Sequence, residues 1–243
     1  MNEKYLYLAI NFFSILFPFL FSFYPKSNFS KKWRYLWLAI LVPGLFFIVW
    51  DEWFTRLGVW GFNPQYLTGT YLFSLPLEEV LFFVCIPYAC VFTYEAVNYL
   101  IRWRLNQKYT NLITDLLSSG LLLTAAIHYD RWYTAVTFML LAIFLLLHRW
   151  VWKTDVAGKF YVAYLFILIP FFIVNGILTG TGIDDPVVWY NDAENLGIRM
   201  GTIPFEDTFY GMLLLMMNVT LFEFLQKRKA GDLHREGARV LRR

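Results

Sequence analysis

Apolar residues run through this chain in blocks of 15 to 29 positions, separated by short segments that carry most of its charge. The blocks are Tyr5–Phe23, Trp33–Trp50, Tyr71–Tyr99, Leu112–Ile127, Tyr133–Leu147, Phe160–Leu178 and Ile203–Leu225. Each is apolar on all sides, so no stripe at helical spacing faces water, and the period-2 alternation of a membrane barrel is missing. A spanning segment needs roughly 20 apolar residues, and in lipid every backbone group must be satisfied internally. The pattern therefore predicts an all-α integral membrane protein of about seven transmembrane helices. The fourth and fifth blocks read short for a full crossing and imply little tilt or a locally thinned bilayer.

The blocks also repeat. Ser74-Leu75-Pro76-Leu77-Glu78-Glu79 opens span three, and Thr202-Ile203-Pro204-Phe205-Glu206-Asp207 opens span seven, 128 positions later. At the same offset Asn63 matches Asn191, Gly69 matches Gly197 and Glu95 matches Glu223. Phe46-Phe47-Ile48-Val49 returns as Phe171-Phe172-Ile173-Val174, shifted by a change in loop length. Two tandem three-helix units related by a pseudo-two-fold along the membrane normal follow. The expected division is a first repeat over 1–110, a connector span over 111–130, a second repeat over 131–226 and a basic tail over 227–243.

Composition agrees with burial in lipid: 58% hydrophobic, 21% aromatic and 16% charged, with mean hydropathy +0.48. A soluble domain carries about 25% charged residues. The net charge of +3 gives no reason to expect nucleic acid. The placement of the basic residues says more than their sum. Of the 21 Lys and Arg, Lys4, Arg56, Arg131 and Arg199 alone fall on one side of a seven-span arrangement. By the positive-inside rule the N-terminus lies outside and the tail in the cytoplasm of a cell (inner) membrane. No signal-peptide cleavage site follows the first span. Cys85 and Cys90 read as packing residues.

Ionisable groups at membrane depth point to function. Each repeat carries a Pro-x-Glu-acid at the outer start of its third helix: Glu78 and Glu79 after Pro76, Glu206 and Asp207 after Pro204. Proline suits the first helical turn, and acids there sit over free N–H groups at the positive end of the dipole. Such helix-start acids need no catalytic role; the doubling and the apolar residues that follow favour one. Neighbouring helical residues point about 100° apart, so at most one acid of each pair faces the bundle axis. Asn63 and Asn191 are candidate hydrogen-bond partners for the acids, and Asp51, directly after Trp50, can face inward. Glu95 and Glu223 form a second acid layer, with Lys227 placed to pair with Glu223 at i+4. Phe82 and Phe83 are candidates to line a cavity and to stabilise a carbocation through their π faces.

Other signatures are missing. The chain has no Gly-x-Gly-x-x-Gly or Walker A sequence, no clustered histidines, no lysine within span seven and no Asp-x-x-x-Asp pair. Flavin, nucleotide, metal and retinal chemistry are therefore not expected, and no cofactor is assigned.

The doubled motif at Pro76–Glu79 and Pro204–Asp207, inside a seven-span tandem chain, resembles the membrane lycopene cyclase domain family. That family occurs as two small subunits or a tandem fusion in prokaryotes, and ahead of phytoene synthase in fungi. The resemblance covers the chain to about Leu225 and implies a tandem cyclase without the synthase. It implies a redox-neutral isomerase that closes the ψ ends of lycopene into β-rings, giving γ-carotene and then β-carotene, with long carotenoids and the bilayer as partners. Such a reaction needs a carboxylic acid to protonate the terminal double bond and a carboxylate to remove a ring proton. The sequence ranks Glu78 and Glu206 first for these tasks, with Glu79 and Asp207 as their partners. A ψ-end hydratase and a small parallel-repeat transporter remain as alternative readings.

Overall fold

The computed structural model describes residues 3–25, 28–101 and 103–240, with side chains to residue 228. Among them seven helices are long and apolar enough to cross a membrane. They are α1 (Leu6–Phe21), α2 (Trp33–Leu57), α3 (Leu77–Leu100), α4 (Gln107–Ile127), α5 (Trp132–Leu146), α6 (Val156–Leu178) and α7 (Phe205–Val240). Large apolar side chains cover their outer faces: Phe12, Phe13 and Phe17 on α1 and Leu45 and Val49 on α2 are all more than half exposed. In lipid such side chains need no cover, and the molecule is an integral membrane protein.

Three spans differ from the sequence expectation. The third begins at Leu77 rather than Tyr71, because Tyr71–Leu72 (β2) and Leu75–Pro76 (β3) pair as a tight hairpin ahead of it. The fourth and fifth are not short: each spans 21 residues, Gln107–Ile127 and Trp132–Trp152. A π-helical turn, Leu147–Trp152, extends α5 past the polar pair His148-Arg149. Through the segment read as a basic tail, the backbone continues α7 as helix to Val240. Of the basic residues used for topology, Lys26, Arg102, Arg242 and Arg243 lie outside the described residues, as do the side chains of Lys229, Arg235 and Arg239.

Backbone contacts recur at the 128-residue offset. Trp60–Phe62 (β1) pairs antiparallel with Val188–Tyr190 (β4), with Gly61 opposite Trp189 at the centre. Asn63 N–H donates to Val187 O at 2.8 Å, and Asn191 N–H donates reciprocally to Val59 O at 2.9 Å. Such mutual pairing of equivalent residues marks a two-fold relation. Gly61 has no room for a side chain, because a Cβ there would lie 2.3 Å from the Trp189 indole. The hairpin of the first half recurs as Arg199–Met200 (β5) with Ile203–Pro204 (β6). The bonds that start the third helices match too: Leu77 N–H to Thr70 O and Phe205 N–H to Ile198 O, both 2.9 Å.

The end of the bundle opposite these hairpins holds most of the ion pairs among the described residues. Lys32 bonds Glu95, tying the start of α2 to the end of α3. Arg104, Lys159 and Lys227 surround Asp155 at 3.3 to 3.4 Å. Glu223 takes Lys159 and Lys227, each at 3.6 Å, and the Tyr94 hydroxyl at 2.8 Å.

Candidate active site

The two acids of each doubled pair part company. Glu78 and Glu206 turn toward the preceding loop. Glu78 Oε1 accepts the Thr68 N–H at 2.7 Å, and Glu206 Oε1 accepts the Leu196 N–H at 2.8 Å, the same bond in each half. Thr134 adds a hydroxyl to Glu206 Oε1 at 2.6 Å, and Asn11 Nδ2 donates to Glu78 O at 2.7 Å. Glu78 and Glu206 therefore anchor the loops that deliver the third helices.

Glu79 and Asp207 face inward. The Tyr7 hydroxyl donates to Glu79 Oε2 at 2.5 Å, and the Tyr133 hydroxyl donates to Asp207 Oδ1 at 2.5 Å. Tyr7 and Tyr133 come from α1 and α5, the first helix of each half, and both are about 1% exposed. Asp207 has a further donor without counterpart: Tyr190 reaches Oδ2 at 3.0 Å and stacks on Tyr133 with ring centroids 5.8 Å apart. Phe62 stands at the matching position of the first half. Burial, reinforced by the Asp207 carboxylate, pushes the Tyr190 phenol well above its ordinary pKa, so it remains a hydrogen-bond donor.

Glu79, Asp207 and Asp51 line one cavity of about 770 Å³. That volume lies in the range of small-molecule sites. Its wall draws on α1, α2, α3, α5, α6 and α7, and follows α1 from Leu6 to Pro18, about 18 Å of helix. Apolar and aromatic residues make up most of the wall, including Phe82, Phe171, Tyr210 and Trp60. Among the described residues no Lys, Arg or His faces it. Phe13, Phe17 and Ile173 line it and are also more than 60% exposed on the outer surface, so it opens sideways between α1 and α6. At the acid end Asp51 lies beside Trp60 and within electrostatic reach of Glu79, as is Asp207. Asp51 Oδ2, Trp60 Nε1 and Tyr210 Oη are buried without a hydrogen-bond partner of good geometry.

The remaining sequence candidates are placed as follows. Asn63 and Asn191 do not touch the acids; they cap their own loops, accepting from Gln65 N–H and Ala193 N–H at 3.1 Å each. An Asn side chain two residues from a free N–H closes an Asx turn before it reaches another element. Glu95 does not line the cavity and pairs with Lys32, and Glu223 pairs with Lys227 as its spacing predicts. Phe82 lines the cavity, whereas Phe83 is buried against Phe47. Tyr7 and Tyr133 were missed by sequence reasoning. They are doubled at 126 rather than 128, and 16 tyrosines hide them. No group of His, Cys, Asp and Glu among the described residues is arranged to hold a metal ion.

A seven-span bundle with an aromatic cavity open between α1 and α6 and carboxyls gathered at one end defines a membrane protein with an acid-tipped apolar pocket. The chain belongs to the lycopene cyclase family, whose profile matches residues 4–97 and 130–225 and passes over the connector between them. It is 41% identical over 58 residues to the lycopene beta-cyclase of Halobacterium salinarum, strain R1, and equally to that of strain NRC-1. The match covers 21% of this chain and 24% of either relative. No solved structure matches the chain.

Proposed function

We propose that the chain is a lycopene beta-cyclase with one active site, shared by two repeats over 1–110 and 131–226 and joined by the connector over 111–130. The single observation that carries this reading is the convergence of Glu79 from one half and Asp207 from the other in one aromatic cavity without a cation. Glu79 keeps Oε1 free of hydrogen bonds among the described residues, while both oxygens of Asp207 are engaged by phenols. Glu79 is therefore the proton donor and Asp207 the carboxylate that accepts.

Protonation of the terminal double bond of a ψ end leaves a tertiary cation, and attack by the neighbouring double bond closes the six-membered ring. Loss of a ring proton to Asp207 gives the β-ring, so no atom or electron is gained. The faces of Trp60, Tyr133 and Tyr210 stabilise the cation and the dry wall keeps water from trapping it. The Tyr210 hydroxyl, within electrostatic reach of both acids, offers the path by which the proton returns. Glu78 and Glu206, ranked first from the sequence, are here assigned to holding the loops. The substrate is a long carotenoid entering from the bilayer; the protein sits in the cell membrane with its N-terminus outside and its tail in the cytoplasm.

Expression in lycopene-accumulating bacteria tests the reading. β-Carotene, with γ-carotene preceding it, is the expected pigment. A hydroxylated acyclic pigment would instead mean that water reaches the cation, and unchanged lycopene with folded protein in the membrane would reject the reading.

A further inference from the structure

Two pseudo-equivalent positions decide on which side of the two-fold the cavity lies. Phe83 on α3 corresponds to Gly211 on α7. The Phe83 ring is 1% exposed and packs on Phe47 of α2 at 6.2 Å, filling the space between the two helices. Gly211 has no ring to place, and the matching space against α6 is cavity, with Gly211 and Phe171 in its wall. The consequence reaches the neighbouring rings. Phe47 is fully buried, whereas its counterpart Phe172 is 40% exposed. A Cβ on Gly211 would lie 3.3 Å from Phe171 Cε2, close enough to press the ring aside by a few tenths of an ångström, and in ordinary contact with the Tyr164 hydroxyl at 3.7 Å.

We propose that Gly211 is the specificity-determining residue of the site: it holds open the α6 side alone and sets the width available to the branched, acyclic isoprenoid end that enters. This rests on the cyclase reading above. The Phe83 ring closes the equivalent α2 side, so the pseudo-symmetric protein offers one binding pocket rather than two.

The test uses the full chain purified in detergent, with lycopene as the probe. Binding is read by quenching of tryptophan fluorescence, turnover by pigment chromatography and folding by thermal melting. Gly211→Ala is expected to lower kcat/KM about tenfold, the usual penalty for a group of that size in an apolar pocket, chiefly through KM. Gly211→Val loses more, and adding Phe171→Ala to Gly211→Val restores most of the loss. Helix propensity alone favours alanine over glycine, so lost turnover in a protein that melts no lower separates a substrate role from a structural one. If Gly211→Val fails to fold, Gly211→Ala decides alone. A kcat/KM within twofold of wild type for Gly211→Ala overturns the proposal, as does a Gly211→Val defect that Phe171→Ala leaves unrelieved. Wild-type protein that binds and converts no lycopene overturns the cyclase reading and this inference together, whereas an active wild type with indifferent variants overturns this inference alone.

Discussion

Glu78 and Glu79 are neighbours with the same functional group, yet one holds a loop and the other faces a cavity. The doubled motif singles out each pair, and helix geometry makes its members diverge. Which one turns inward depends on tyrosines from other helices, Tyr7 and Tyr133, and on loop N–H groups ten residues upstream. Nothing local to Pro76–Glu79 encodes those partners. Residue-scale strain is visible at Phe73, which holds φ of 57° in the turn between β2 and β3. Gly201 fills the equivalent place with φ of 67°. The left-handed region costs a bulky L-residue about 1–2 kcal/mol, partly offset by the greater unfolded freedom of glycine. Phe73 is 77% exposed and little packing is lost with its ring. Phe73→Gly should raise stability by up to about 1 kcal/mol, read as a higher melting temperature; a lower one would show that the ring anchors the turn.

At the scale of elements, the seven helices were legible because lipid demands long apolar segments. The errors lie where that demand is silent. The β2–β3 hairpin is as apolar as the helix it precedes, so hydropathy merged the two. The π-turn after α5 carries His148 and Arg149, so hydropathy stopped early, although His148 is buried between Thr154 and Thr220. The helix ends opposite the hairpins are tied by charge as well as by apolar packing. Burial alone would raise the Asp155 pKa, but Lys159 and Lys227 outweigh it and hold it below its ordinary value. A lowered folded-state pKa means the contribution is present above the unfolded value near pH 4 and lost as pH falls through the folded one. The side chain is 40% exposed, so solvent screening keeps the contribution below about 1 kcal/mol. Asp155→Asn should lower the melting temperature slightly at pH 7, with the difference from wild type shrinking below pH 4. A deficit that grows on acidification would contradict this assignment.

For the whole molecule, the two-fold relation and the cavity shared by both halves are two aspects of one arrangement. Backbone contacts around β1 and β4 keep the symmetry, while side chains break it: Trp189 over Gly61, Tyr190 where the first half has Phe62, Gly211 where it has Phe83. The repeat was readable as identities at one spacing. The asymmetry is spread over substitutions that look neutral in sequence and gain meaning only when the halves face each other. A shared site makes a demand that two independent sites would not: each inward acid is indispensable by itself. The direct test is cyclisation per folded molecule in four single variants. Glu79→Gln and Asp207→Asn should each lose about 10²–10⁴-fold and leave lycopene unchanged. Glu78→Gln and Glu206→Gln should keep turnover within a few-fold while losing about 1 kcal/mol of stability, since the amide oxygen still accepts each loop N–H but without the charge. Slow but complete conversion by Glu79→Gln or by Asp207→Asn, or dead Glu78→Gln and Glu206→Gln proteins with wild-type stability, would contradict the account.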